Sequence, residues 1–159
     1  MRLVEPYTFF VDRSLGSEFV PSALRRANEQ IVVHDEQFPD QDTSDVIWLG
    51  EAGRSGWVVL TKDARIRTNV LERTTLLSAG VAAFMLGRGD LRGSDMARAF
   101  VLALPRMKKV LRRWNLPLIA VVSVEGLVSL LYAAGERLAK PRAVKWKGWV
   151  GGKLARWSS

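Results

Sequence analysis

Three aspartates stand where short apolar runs give way to turns or helix starts: Asp12 after Phe9-Phe10-Val11, Asp45 after Ser44, and Asp63 just beyond Val58-Val59-Leu60-Thr61. Asp35 and Glu36 follow a further run, Gln30 to His34. Carboxylates brought together repel one another, and each has its pKa raised unless a cation compensates. Oxygen ligands of this kind suit Mg²⁺ or Mn²⁺. An ion held among them can orient a phosphodiester, stabilise charge on the departing oxygen and activate a water for in-line attack. The rest of the composition leaves few other chemistries. There is no cysteine, which removes disulfides, thiolate zinc sites and a cysteine nucleophile, and the single histidine, His34, rules out a multi-histidine metal site within one chain. His34 itself reads as a strand-end residue rather than a base. Each acid taken alone has a plain alternative as a turn or cap residue, so the information lies in the set.

Only a particular architecture brings these acids together. Strand-like runs recur at Thr8 to Val11, Gln30 to His34, Trp57 to Thr61, Val81 to Leu86 and Leu118 to Ser123, β-branched or aromatic and apolar on both faces. Unbroken apolarity suits strands covered on both sides, as in parallel sheets. Helical patterns lie between them. Ser17 is placed to cap a helix with Phe19, Val20, Ala23, Leu24 and Ala27 on one stripe and Pro21 near its first turn. Thr43 or Ser44 caps a second through Val46, Ile47, Leu49 and Ala52, ended by Gly53 or Gly56. A third runs from about Asn69 to Ala79, and a fourth starts after Ser94, with Pro105 expected to kink or divide it before Trp114. The expected fold is an α/β/α sandwich with a mostly parallel central sheet. In such sheets ligands sit beyond the carboxyl ends of the strands, where Asp12, Asp35, Glu36 and Asp63 would share one edge. Asp45 would join them from the first turn of its helix, where the dipole favours an anion.

A chain of 159 residues has room for one well-buried domain, expected over residues 1–135. Of the net charge of +8, six units fall in residues 136–159, where Arg137, Lys140, Arg142, Lys145, Lys147, Lys153 and Arg156 face Glu136 alone. That basic tail interleaves Trp146, Trp149 and Trp157, a composition able to stack on bases while neutralising phosphates. Nucleic acid is the first partner such a charge favours. Glu5 and Pro6 interrupt what a secretory signal would need, and the apolar runs from Pro117 to Val124 and Gly126 to Ala134 are split by Glu125. Both fall short of the roughly 20 residues that span a bilayer. The expectation is a soluble, cytoplasmic protein with no membrane partner. The basic run Arg106, Lys108, Lys109, Arg112 and Arg113 reads as a solvated helix face, and Arg88-Gly89-Asp90 as a coincidental adhesion tripeptide.

Phe9-Phe10-Val11-Asp12-Arg13-Ser14-Leu15-Gly16, Ser44-Asp45 at a helix start, and Leu60-Thr61-Lys62-Asp63 together resemble the compact PIN-like domains related to VapC toxins. The resemblance covers about residues 7 to 125. It implies a Mg²⁺- or Mn²⁺-dependent endoribonuclease, the toxin of a toxin-antitoxin pair, with RNA as substrate, an antitoxin protein as partner and a homodimer among its allowed states. Asp12, Asp45 and Asp63 match the family's first acid, helix-start acid and acid after Thr-x. Larger members carry a further glutamate on a helix between the first two, which this chain lacks; Asp35 or Glu36 are the candidate substitutes, while Asp40 and Asp42 read as loop residues. Arg13, Lys62, Arg65 and Arg67 lie beside the acids and are placed to hold substrate phosphates. Thr61 is placed to hydrogen-bond an acid or a phosphate, or simply to end its strand. A receiver domain would need an acidic pair after the first strand and a lysine after the fifth, and a haloacid-type phosphatase a second Asp where Ser14 stands. The competing reading is a non-catalytic PIN-like module that binds RNA or protein, favoured if Asp35 and Glu36 point away from the other acids.

Overall fold

Six short apolar segments pair into one sheet: β1 (Thr8–Val11), β2 (Gln30–Val33), β3 (Val58–Thr61), β4 (Ala82–Leu86), β5 (Leu118–Val122) and β6 (Val128–Ala133). The structure is a computed structural model that describes residues 1–63 and 65–136, without the side chain of Arg67. The expected tail over 136–159 therefore lies, from residue 137 onward, outside the described residues. Spatial order is β2-β1-β3-β4-β5-β6. The first five strands are parallel, as their unbroken apolarity implied, and β6 runs antiparallel to β5. The sequence reading has no sixth strand, because Gly126 to Ala134 is apolar without a clear period; pairing with β5 is what makes part of it a strand.

Among the described residues, six α-helices lie between the strands: α1 (Phe19–Arg26), α2 (His34–Gln37), α3 (Asp45–Ser55), α4 (Arg65–Thr68), α5 (Val70–Ala79) and α6 (Gly93–Arg113). Residues alternate across the sheet, so each strand feeds two cores. Phe9, Val11, Val58, Leu60, Phe84 and Val122 pack with α1 and α6 on one face. Phe10, Val59, Ala83, Met85, Ile119 and Val121 pack with α3 and α5 on the other. The result is the expected three-layer α/β/α sandwich. Among the described residues no helix is long and apolar enough to cross a membrane.

Local chemistry accounts for most of the helix ends. Asn69 caps α5 by accepting from the N–H groups of Leu71 and Glu72. Gly56 closes α3 in the left-handed conformation, at φ 69°. Helix α1 begins at Phe19 with Glu18 in the cap position and no side-chain cap, so Ser17 does not cap it as expected; Pro21 lies in the first turn, where its missing N–H breaks no helical bond. Two further expectations are corrected. Ser44 precedes α3 but makes no side-chain cap, and the Thr43 hydroxyl turns back to the Asp40 carbonyl. Pro105 does not divide the fourth helix, which runs unbroken from Gly93 to Arg113. Pro105 lies on the exposed face, while Ala103, Leu104, Met107 and Leu111 are buried against the sheet. That tertiary packing outweighs the one backbone bond the ring removes.

Candidate active site

The strand order reverses at β1: the chain leaves it for β2 on one side and later returns to β3 on the other. Such a switch point opens a crevice beyond the carboxyl ends of the strands. Asp12 and Asp63 follow the two strands that flank it. Alternation settles which layer they face. Phe10 and Val59 point toward α3 and α5, so Asp12 and Thr61, two residues further along each strand, point the same way.

Asp12 is buried and tightly held. Its Oδ2 accepts from the Thr61 hydroxyl at 2.9 Å and from the Ser14 hydroxyl at 2.7 Å. Thr61 Oγ1 in turn accepts from the Asp63 N–H, and Ser14 Oγ from the Lys62 N–H. Two hydroxyls thus pin the loops after β1 and β3 to each other and leave Oδ1 of Asp12 outside these bonds. Of the roles open to Thr61, the geometry selects hydrogen bonding to an acid.

A cleft of about 270 Å³ opens here. Its acidic lining consists of Asp12, Asp45, Asp63 and Glu72, accompanied by Arg13, Ser14, His34, Thr61 and Arg65 over an apolar floor that includes Trp48, Leu49 and Leu76. Asp45 sits in the first turn of α3, where Trp48 Nε1 donates to its Oδ1 at 2.9 Å. Glu72 comes from the first turn of α5. Burial pushes its carboxyl above the ordinary range, and the neighbouring Asp45 carboxylate adds to the rise. Asp63 goes the other way. Burial would raise it, but the hydrogen bonds and charge of Arg65 together carry it below its ordinary value. Arg65 reaches both carboxylate oxygens, at 3.0 Å through Nε and 2.6 Å through Nη2, and its own pKa rises in consequence.

The three aspartates named from sequence thus line one cleft. Asp35 and Glu36 do not: Asp35 pairs with Arg13 at 3.2 Å and Glu36 with Arg25 at 3.3 Å. Asp40 holds its own loop by accepting from the Asp42 N–H, as its loop reading implies. Lys62 meets the site through its backbone and is absent from the cleft lining, whereas Arg13 and Arg65 belong to it. The side chain of Arg67 lies outside the described residues. His34, expected at the end of the second strand, instead opens α2 one residue past β2; it is buried and borders the cleft among Phe10, Phe38 and Trp48. Sequence reasoning missed Ser14 and Glu72. Glu72 is the single acid between Asp63 and Asp90, three residues after the cap Asn69, and that spacing passes for an ordinary capping box. Among the described residues no group of three or more acids or histidines is gathered closely enough to hold a metal ion.

A parallel sheet with an acidic cleft at its switch point is the build of a PIN-like domain, and the chain belongs to that family: the model described as "PIN like domain" matches residues 7–88. That span contains all four acids of the cleft. Among curated proteins the chain is similar to one of Mycobacterium tuberculosis (strain ATCC 25618 / H37Rv) named "Putative ribonuclease VapC45", with 34% identity over 106 residues, 65% of this chain and 77% of the relative. No solved structure gives a significant match.

Proposed function

We propose that the protein is an endoribonuclease that hydrolyses RNA phosphodiester bonds with a divalent metal ion, Mg²⁺ or Mn²⁺. It acts as the cytoplasmic toxin of a toxin-antitoxin pair. The observation that carries this reading is the lining of one cleft by four carboxylates, from the ends of two neighbouring strands and the first turns of two helices. The ribonuclease name of the relative supports the same substrate class.

The donors suit a hard cation. All four are carboxylates, Oδ1 of Asp12 lies outside the hydroxyl bonds that fix the residue, and the burial and Asp45 charge that push Glu72 up disfavour its ionised form in a way a cation relieves. Asp12, Asp45 and Asp63 would hold the ion, with Glu72 in the place first considered for Asp35 or Glu36. Once bound, it would supply charge stabilisation on the phosphate and an activated water. Asp63 is available only after Arg65 turns away from it, so metal entry exchanges one cation for another. The released Arg65, with Arg13, would then face the substrate phosphates.

The same Arg65 contact and the looseness of the acid group favour a second reading, a non-catalytic PIN-like module that binds RNA or protein. One assay separates them. Purified protein free of any antitoxin is incubated with structured and single-stranded RNA in Mg²⁺, Mn²⁺ or a chelator. Internal cleavage should require metal, vanish in Asp12→Asn and Asp63→Asn, and fall by about tenfold in Arg13→Ala, a loss of roughly 1.4 kcal/mol. No cleavage in any condition, or cleavage that survives both aspartate substitutions, leaves the binding module as the account.

A further inference from the structure

Arg13 and Asp35 face each other because β1 and β2 are parallel and in register up to Val11 and Val33, so the residues just past their ends meet at the sheet edge. Arg13 Nε donates to Asp35 Oδ1 at 3.2 Å, and Nη1 to the Gln41 carbonyl at 2.9 Å. These two anchors fix the plane of the guanidinium. Its last nitrogen, Nη2, is buried and has no hydrogen-bond partner. A guanidinium is a permanent cation whose charge is delocalised over its three nitrogens, so these anchors fix a positive charge even though Nη2 is out of reach of solvent. Arg13 also lines the acidic cleft.

His34 packs behind Asp35 without hydrogen-bonding to it. His34 is almost fully buried between Phe10, Phe38 and Trp48, and its Nδ1 lies 3.4 Å from the same Asp35 oxygen that takes Arg13. We propose that Asp35 is a positioning residue for Arg13 rather than a metal ligand: with the Gln41 carbonyl it holds the partly exposed guanidinium at the cleft, where its charge meets a phosphate of bound RNA. This deepens the nuclease reading and rests on it. Arginine suits the task because its fork is preorganised and remains charged. Phosphate is the fitting partner, because it is the anion the substrate brings, whereas the cleft carboxylates are required elsewhere.

The test separates phosphate binding from metal binding. Affinity for a fluorescein-labelled single-stranded RNA oligonucleotide is measured in chelator across a salt series, and Mn²⁺ affinity by calorimetry without RNA. Arg13→Ala and Asp35→Asn should each weaken RNA binding by about tenfold and lower the slope of log Kd against log salt by about one. The double variant should bind no worse than Arg13→Ala alone. Mn²⁺ affinity should stay at the wild-type value in Asp35→Asn and fall in Asp12→Asn. Loss of Mn²⁺ affinity in Asp35→Asn makes Asp35 a ligand and overturns the proposal. So does an unchanged salt slope in Arg13→Ala, or penalties that add in the double variant. If Asp12→Asn leaves Mn²⁺ binding intact, the metal reading falls while the RNA arm still judges Arg13. Should Asp35→Asn fail to fold, Asp35→Ser replaces it in every arm.

Discussion

Arg65 and Asp63, two residues apart, form the contact on which the chemistry of the cleft turns. An arginine that spans both oxygens of a carboxylate removes it from service as a ligand while shielding its charge from Asp45 and Glu72. Replacing Arg65 with alanine should therefore raise Mn²⁺ affinity severalfold while weakening RNA binding, and calorimetry alongside RNA titration reads both. The stability effect has a definite pH dependence. The folded-state pKa of Asp63 lies below its ordinary 3.8, so the pair contributes stability above that value and loses it as pH falls through the lower one. Arg65 is 63% exposed along its side chain. Solvent screening then limits the contribution to about 0.5 kcal/mol. Urea melts of wild type and Arg65→Ala should differ by that amount at neutral pH and converge in acid.

Helices α3 and α5 set the distance between Asp45 and Glu72. Gly53 of α3 lies so close to the Ala79 carbonyl at the end of α5 that a Cβ there would collide with it. This contact packs the last turns of the two helices together, while at their first turns Asp45 and Glu72 line the same cleft and burial, with the Asp45 charge, makes Glu72 hard to ionise. The raised pKa of Glu72 means that stability is fully present below its ordinary 4.5 and is lost as pH rises through the higher folded-state value. At pH 7 the ionised carboxylate therefore opposes folding. Glu72→Gln should melt on the order of 2 °C above wild type at pH 7, with the gap closing in acid. Mn²⁺ should raise the wild-type melting temperature more than that of the variant, since the ion neutralises a charge the glutamine lacks. Equal melting temperatures at pH 7 without metal would show that Glu72 feels no such repulsion.

At the scale of the whole molecule, charge is distributed unevenly along the chain. Its cleft is lined by four carboxylates, yet the chain carries +8, of which six units belong to residues 136–159. A nuclease with an acidic centre needs positive charge elsewhere to draw in RNA. Removing residues 136–159 should weaken RNA binding and flatten its salt dependence, because several phosphate contacts are lost together. Cooperative unfolding should persist, since β6 already closes the described sheet at Ala133. Loss of cooperativity on truncation would assign those residues to the core.

Phe9-Phe10-Val11 and Val58-Val59-Leu60 were legible as strands because apolarity on both faces has one common cause, burial in a parallel sheet. Asp12, Asp45 and Asp63 were legible for a related reason: polar residues at the ends of such strands and at helix starts collect where a parallel sheet binds ligands. Local pattern by itself determined the family, the layer architecture and three acids of the cleft. The fourth acid, Glu72, depended on how α5 crosses α3, an angle that no local pattern encodes. Asp35 looked equivalent to Asp63, since both follow parallel strands. Only the strand order, which places β2 at the sheet edge and β1 beside β3 at the switch point, gave Asp35 to Arg13 and Asp63 to the cleft.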